Sequence, residues 1–124
     1  MCNEVAHKHP AAAFILTIHY PADAFKWTHS DKPEEAIETY AVSSKPWKLR
    51  SRCKLCGVCV ASFNTKEPKW SVWGAQMDRD EDGKIKHWDI VKPTHHIFYG
   101  TRMLDIEDGL PKWEGYADVS SRLG

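Results

Sequence analysis

The chain has 124 residues, 42% of them hydrophobic, 11% aromatic and 27% charged, enough for one folded domain with a core and too few to expect two. Seventeen basic and seventeen acidic side chains cancel, which excludes a bulk electrostatic pull toward nucleic acid or anionic lipid. No apolar run approaches the roughly 20 residues that cross a bilayer, and the first eight residues lack the basic and apolar regions of a signal peptide. A reducing compartment is therefore expected, the cytoplasm first and the nucleus second. There, closely spaced cysteines read as metal ligands rather than a disulfide.

Residues 1–10 are polar and hold Cys2, His7 and His9 ahead of Pro10, each either a metal donor or an incidental residue of a loose terminus. Small residues then lead into Phe14–Tyr20, whose β-branched and aromatic run predicts a buried strand ended by Pro21. Pro21–Phe25 reads as a turn, and the alternation of Phe25–Thr28 predicts a short strand. Residues 30–38 are charged and carry Pro33, which makes them a loop with room for one helical turn at Pro33–Ala36. Ile37–Val42 alternates and predicts another strand, broken by Ser43–Pro46.

Trp47–Arg52 alternates into Cys53-Lys54-Leu55-Cys56-Gly57-Val58-Cys59, and Val58–Phe63 alternates out, predicting a hairpin with the cysteines at its tip. Two thiolates two residues apart on a tight turn can both point at one soft ion, and Gly57 lets the backbone turn sharply behind them. Cys53 and Cys56 thus read as half of a tetrahedral zinc site. The other two donors would come from elsewhere in the chain, from a partner, or from residues outside it. Cys59 has two readings, a third thiolate ligand or a small buried hydrophobe on the outgoing strand, and the second is favoured. An iron-sulfur run would need a fourth cysteine and a proline close behind, and neither follows.

After a loop with Pro68, Trp70–Met77 alternates and Ile85–Ile90 reads as its returning strand. Between and across them, Asp78–Asp89 places acids at positions 1, 3, 5 and 12 of a calcium loop, with glycine at 6. An EF-hand needs flanking helices, whereas these flanks read as strands, so an ordinary solvated hairpin is the preferred reading. His95 and His96 open a further strand and point to opposite faces, one packed and hydrogen-bonded, the other exposed. A tail rich in proline and glycine then carries Trp113 and Tyr116 back to the body. The six tryptophans read as core rather than stacking platforms. Many short strands with hardly any helical periodicity predict an all-β sandwich or half-barrel.

Several segments, in this order, resemble the glutathione-dependent formaldehyde-activating enzyme and centromere protein V domain family, which has the Mss4-like fold. They are the small-residue step into an apolar strand with Pro21-Ala22-Asp23-Ala24-Phe25, the knuckle Arg52-Cys53-Lys54-Leu55-Cys56-Gly57, His96-Ile97-Phe98-Tyr99, and Asp108-Gly109-Leu110-Pro111-Lys112-Trp113-Glu114-Gly115. The resemblance spans nearly the whole chain as a single domain. It implies a twisted β-sandwich with a structural zinc, whose later C-x-x-C pair is Cys53 and Cys56, and a second zinc cluster in which Cys2 matches the middle cysteine. The early C-x-C of the family would lie upstream of Met1, and Val5 stands where the cluster's third cysteine is expected, so the domain resembles one incomplete at its N-terminus. The implied activity is carbon-sulfur lyase chemistry on an adduct of formaldehyde with glutathione or another small thiol, with Cys2 as the catalytic remnant. The rivals are a non-catalytic zinc-stabilised binding module and a family member that has lost its activity; a homodimer is a further expectation.

Overall fold

A strand that alternates polar and apolar residues is stable only with neighbours to take its backbone hydrogen bonds. The computed structural model describes residues 13–28 and 31–124. The described residues form two compact units, one running Leu16–Lys86 and the other built on residues 87–124 with 13–15.

The first unit holds five strands, β1 (Thr17–Pro21), β2 (Ile37–Tyr40), β3 (Lys48–Cys53), β4 (Cys59–Asn64) and β5 (Lys69–Trp73). They form one sheet in the order β1-β5-β4-β3-β2, antiparallel throughout. Strand dominates and helix is scarce, in line with the all-β expectation. Because side chains alternate between faces, the register aligns Tyr40, Arg50, Ser62, Ser71 and His19 in one row across the sheet. Leu49, Phe63, Trp70 and Tyr20 form a parallel row on the opposite face. Between Ser51 and Arg52 the register slips by one residue, so that Cys59 rather than Val60 stands opposite Arg52.

Several sequence expectations are corrected. Phe14–Tyr20 is not a buried strand. Its strand starts at Thr17, pairs only with β5 at the sheet edge, and none of its residues is fully buried. Phe25–Thr28 forms no strand; Phe25 and Trp27 instead pack on Trp70, with ring centroids 4.2 and 5.9 Å away. The strand begun at Trp70 stops at Trp73, because Gly74–Gln76 coil into a 3-10 turn over which Leu16 packs. Ile85–Ile90 is no returning strand either. Ile85 makes one isolated bridge to Arg79, His87 takes a left-handed backbone at φ 57°, and Trp88–Val91 wind into a single helical turn, α1. The charged 30–38 segment, expected as a loop with room for one turn, holds the 3-10 segment Pro33–Glu35.

In the second unit no regular strand leaves the histidines. His96 bridges Lys112 in parallel, and backbone bonds from Phe98 N–H to the Gly115 carbonyl and from Tyr99 N–H to the Trp113 carbonyl lace the tail to this segment, while Trp113 bridges Arg122 within the tail. Phe98 adopts φ 55°, a conformation bulky residues seldom take. It turns the chain so that Tyr99 is buried, and the Tyr99 hydroxyl accepts a hydrogen bond from the Ile106 backbone N–H at 2.8 Å.

Candidate metal centre

The β3–β4 hairpin carries the cysteine knuckle at its tip, as the alternation on either side of it requires. Cys53 N–H donates to the Val58 carbonyl at 3.0 Å, and Gly57 N–H donates to the Cys53 carbonyl at 2.8 Å, closing the turn. Gly57 sits at φ +74°, with nothing within 4 Å of where a Cβ would stand. Glycine is thus required there by backbone conformation, not by space. Lys54 N–H, bonded to the Ala36 carbonyl at 2.9 Å, ties the knuckle to the turn that precedes β2.

Within this turn the backbone N–H groups of Cys56 and Leu55 and the Cys56 thiol act on the Cys53 sulfur. Those donors favour the thiolate and hold the Cys53 thiol below its ordinary pKa, the Cys56 N–H foremost, against a smaller opposing effect of burial. Both cysteines are free thiols, Cys53 partly covered and Cys56 exposed, while Leu55 at the apex is 95% exposed. Two free thiols on one tight turn, with amides that favour the thiolate of the first, suit a soft divalent ion.

Cys59 takes a different position. Arg52, which it faces across the bulge, lies on the Tyr40–Arg50 side of the sheet, and the next residue, Cys53, therefore projects to the other side. The Cys59 thiol is buried and lies 3.5 Å from the Tyr40 hydroxyl. Burial first, and that sulfur second, push the Tyr40 phenol up to about 12. Among the described residues no group of three or more His, Cys, Asp or Glu side chains converges on one point. Cys2, His7 and His9 lie outside the described residues.

Charges flank the knuckle in a defined order. Arg52 Nε donates to Glu38 at 2.8 Å, holding that carboxyl below its usual range, and its guanidinium lies 4.9 Å from the Tyr40 ring centroid. Arg50, one row away, is only 8% exposed, and its Nη1 has no hydrogen-bond partner among the described residues. Further along this row, Ser71 Oγ and His19 Nδ1 are 3.1 Å apart.

Two other candidate sites resolve into local structure. His96 is largely covered, with Nε2 2.6 Å from Asp108 Oδ2, while His95 is exposed beside Thr94, as adjacent positions with opposite orientations require. Asp108 also accepts the Leu110 N–H and lies 3.4 Å from Lys112 Nζ; the His96 bond foremost lowers its pKa to about 2. In the 78–86 loop Asp80 Oδ1 accepts from the backbone of Asp82 and Lys84, and Arg79 bridges Ile85, which makes a solvated hairpin flanked by single turns, Gly74–Gln76 and α1, rather than by the two long helices of an EF-hand.

The first unit also holds a cavity that no sequence motif marks. It has a volume of about 340 Å³ and lies against the Leu49–Phe63–Trp70 face, with Trp27, Ile37 and Glu34 around it. The apolar alternation of β2–β5 marked that face, but the segment holding Trp27 carries no signal that it folds over it. Among the described residues no helix is long and apolar enough to cross a membrane. Compared with family models, curated proteins and solved structures, the chain matches none.

Proposed function

We propose that the chain is a zinc-binding protein of the formaldehyde-activating and centromere protein V type, with an Mss4-like fold, acting as a carbon-sulfur lyase on an adduct of formaldehyde with a small thiol such as glutathione. The observation that carries this reading is the Cys53-x-x-Cys56 turn at the tip of the β3–β4 hairpin, closed by the Gly57 N–H on the Cys53 carbonyl at 2.8 Å, with both thiols free. Cys53 and Cys56 are the structural pair. Cys2, with His7 or His9, is the source of further donors, and a second copy of the chain is the alternative source.

Bound zinc would hold the knuckle shut and, near Cys2, would lower a thiol's pKa and polarise a carbonyl. The chain's own residues supply the thiolates and the turn that presents them. In the forward direction the substrate thiolate attacks the formaldehyde carbon, a carbon-sulfur bond forms, and the carbonyl oxygen takes up a proton; the reverse step breaks that bond and returns the thiolate.

Native mass spectrometry on the purified chain should show one zinc, and NMR of glutathione and formaldehyde with the zinc-loaded chain should show the adduct forming faster than without it. A rate equal to the uncatalysed one, with zinc bound, assigns the chain to the non-catalytic binding modules instead.

A further inference from the structure

The cavity on the first unit has a chemistry of its own, separate from the cysteines. Its walls are aromatic rings held in different planes. Trp70 is stacked on Phe25 at 4.2 Å and 21°, which fixes its orientation, and Phe63 leans on it at 5.0 Å and 41°. Trp27 stands edge-on to both Phe25 and Trp70, at 89° and 87°. Rings locked this way present fixed π faces, which are regions of negative potential. The one charged side chain on the lining is Glu34, and no lysine or arginine of the described residues joins it. Lys32, the nearest cation in sequence, lies 3.8 Å from the Glu35 carboxylate.

A volume of about 340 Å³ is at the small end of ligand sites and excludes a large cofactor. The polar groups available besides Glu34 are the hydroxyls of Thr39 and Ser51. A primary ammonium, strongly hydrated and a donor of three hydrogen bonds, would draw on Glu34, Thr39 and Ser51 together and make no use of the aromatic majority of the lining. An ammonium whose charge is spread over methyl groups needs no donor-acceptor partners and packs directly on ring faces. From these features we infer that the cavity binds a small free organic cation bearing a methylated ammonium group, seated against Trp27, Phe63 and Trp70 and balanced by the Glu34 carboxylate.

Choline is the probe. Titrated into the full chain at constant ionic strength, it should shift the indole N–H resonances of Trp27 and Trp70 saturably. Its neutral isostere 3,3-dimethylbutanol should bind about tenfold more weakly. Glu34 is exposed, so Glu34→Gln keeps the fold and should weaken choline about threefold while leaving the neutral isostere unchanged. Phosphatidylcholine vesicles should leave the protein in the supernatant. Absence of a saturable choline shift, equal binding of the neutral isostere, an unmoved affinity in Glu34→Gln, or vesicle binding without a response to free choline would each overturn the assignment.

Discussion

Replacing Arg50 by methionine should make the protein more stable, against the usual direction for a buried position. Arg50 lies on β3 between the cross-strand residues Tyr40 and Ser62, is 8% exposed, and has Nη1 fully enclosed with no partner among the described residues. No carboxylate of the described residues pairs with it. The nearby carboxylate, Glu38, is taken by Arg52 at 2.8 Å. Nη1 is stripped of water with no partner in return, a cost of about 1–3 kcal/mol, whereas the aliphatic stem still packs. Methionine keeps the stem and removes the ion. The expected gain is about 2 kcal/mol, and at an m-value of about 1.5 kcal/mol per molar urea the unfolding midpoint rises by about 1.3 M. Urea titration followed by far-UV circular dichroism and by tryptophan fluorescence reads it. Arg50→Lys, which retains the charge, should show no such gain. An unchanged or lower midpoint in Arg50→Met would refute the reasoning, because it would mean that the guanidinium has a counter-charge.

Other expectations follow from the same distances. Asp108 has its pKa depressed to about 2 in the folded chain, chiefly by the His96 bond, so the unfolded chain binds the extra proton between about pH 4 and pH 2. The stability it contributes is fully present above pH 4 and is lost as pH falls through 2; an acid titration followed by NMR of the His96–Tyr99 amides should show this step, and Asp108→Asn should remove it. At the alkaline end the Tyr40 phenol is raised to about 12, mainly by burial, so its contribution is present below pH 10 and disappears as pH rises through 12. In the absorbance of phenolate at 295 nm, Tyr40→Phe should delete the last step, and an unaltered profile would contradict the burial of that hydroxyl. Gly74→Ala would set a Cβ 2.6 Å from Leu16 Cδ2 and 2.9 Å from Leu16 Cβ, and should lower stability by about 1–3 kcal/mol in thermal melts; a neutral effect would show that Leu16 moves aside freely.

The central hairpin was legible because two independent signals coincide there. Alternation on both sides of the knuckle defines the strands, and Gly57 after Cys56 marks the turn that its positive φ demands. The ends of the sheet were less legible. Phe14–Tyr20 has the composition of a core strand, yet composition does not say how many neighbours a strand will have, and β1 has one. Ile85–Ile90 alternates as well as β2 does, but among the described residues no strand pairs along it, and the left-handed His87 turns the chain into α1. The position of Cys59 depends on a one-residue slip between Ser51 and Arg52 that no spacing rule reveals. The cavity was invisible for a related reason, since it is assembled from segments that meet only once Phe25 and Trp27 fold against Trp70.

The sharpest test of the account is zinc-edge X-ray absorption on the metal-loaded chain beside its Cys56→Ser variant. The account predicts at least two sulfur neighbours at about 2.3 Å in the natural chain and a reduced sulfur shell in the variant. A first shell of oxygen and nitrogen alone, at about 2.0–2.2 Å and indifferent to the loss of Cys56, would contradict it.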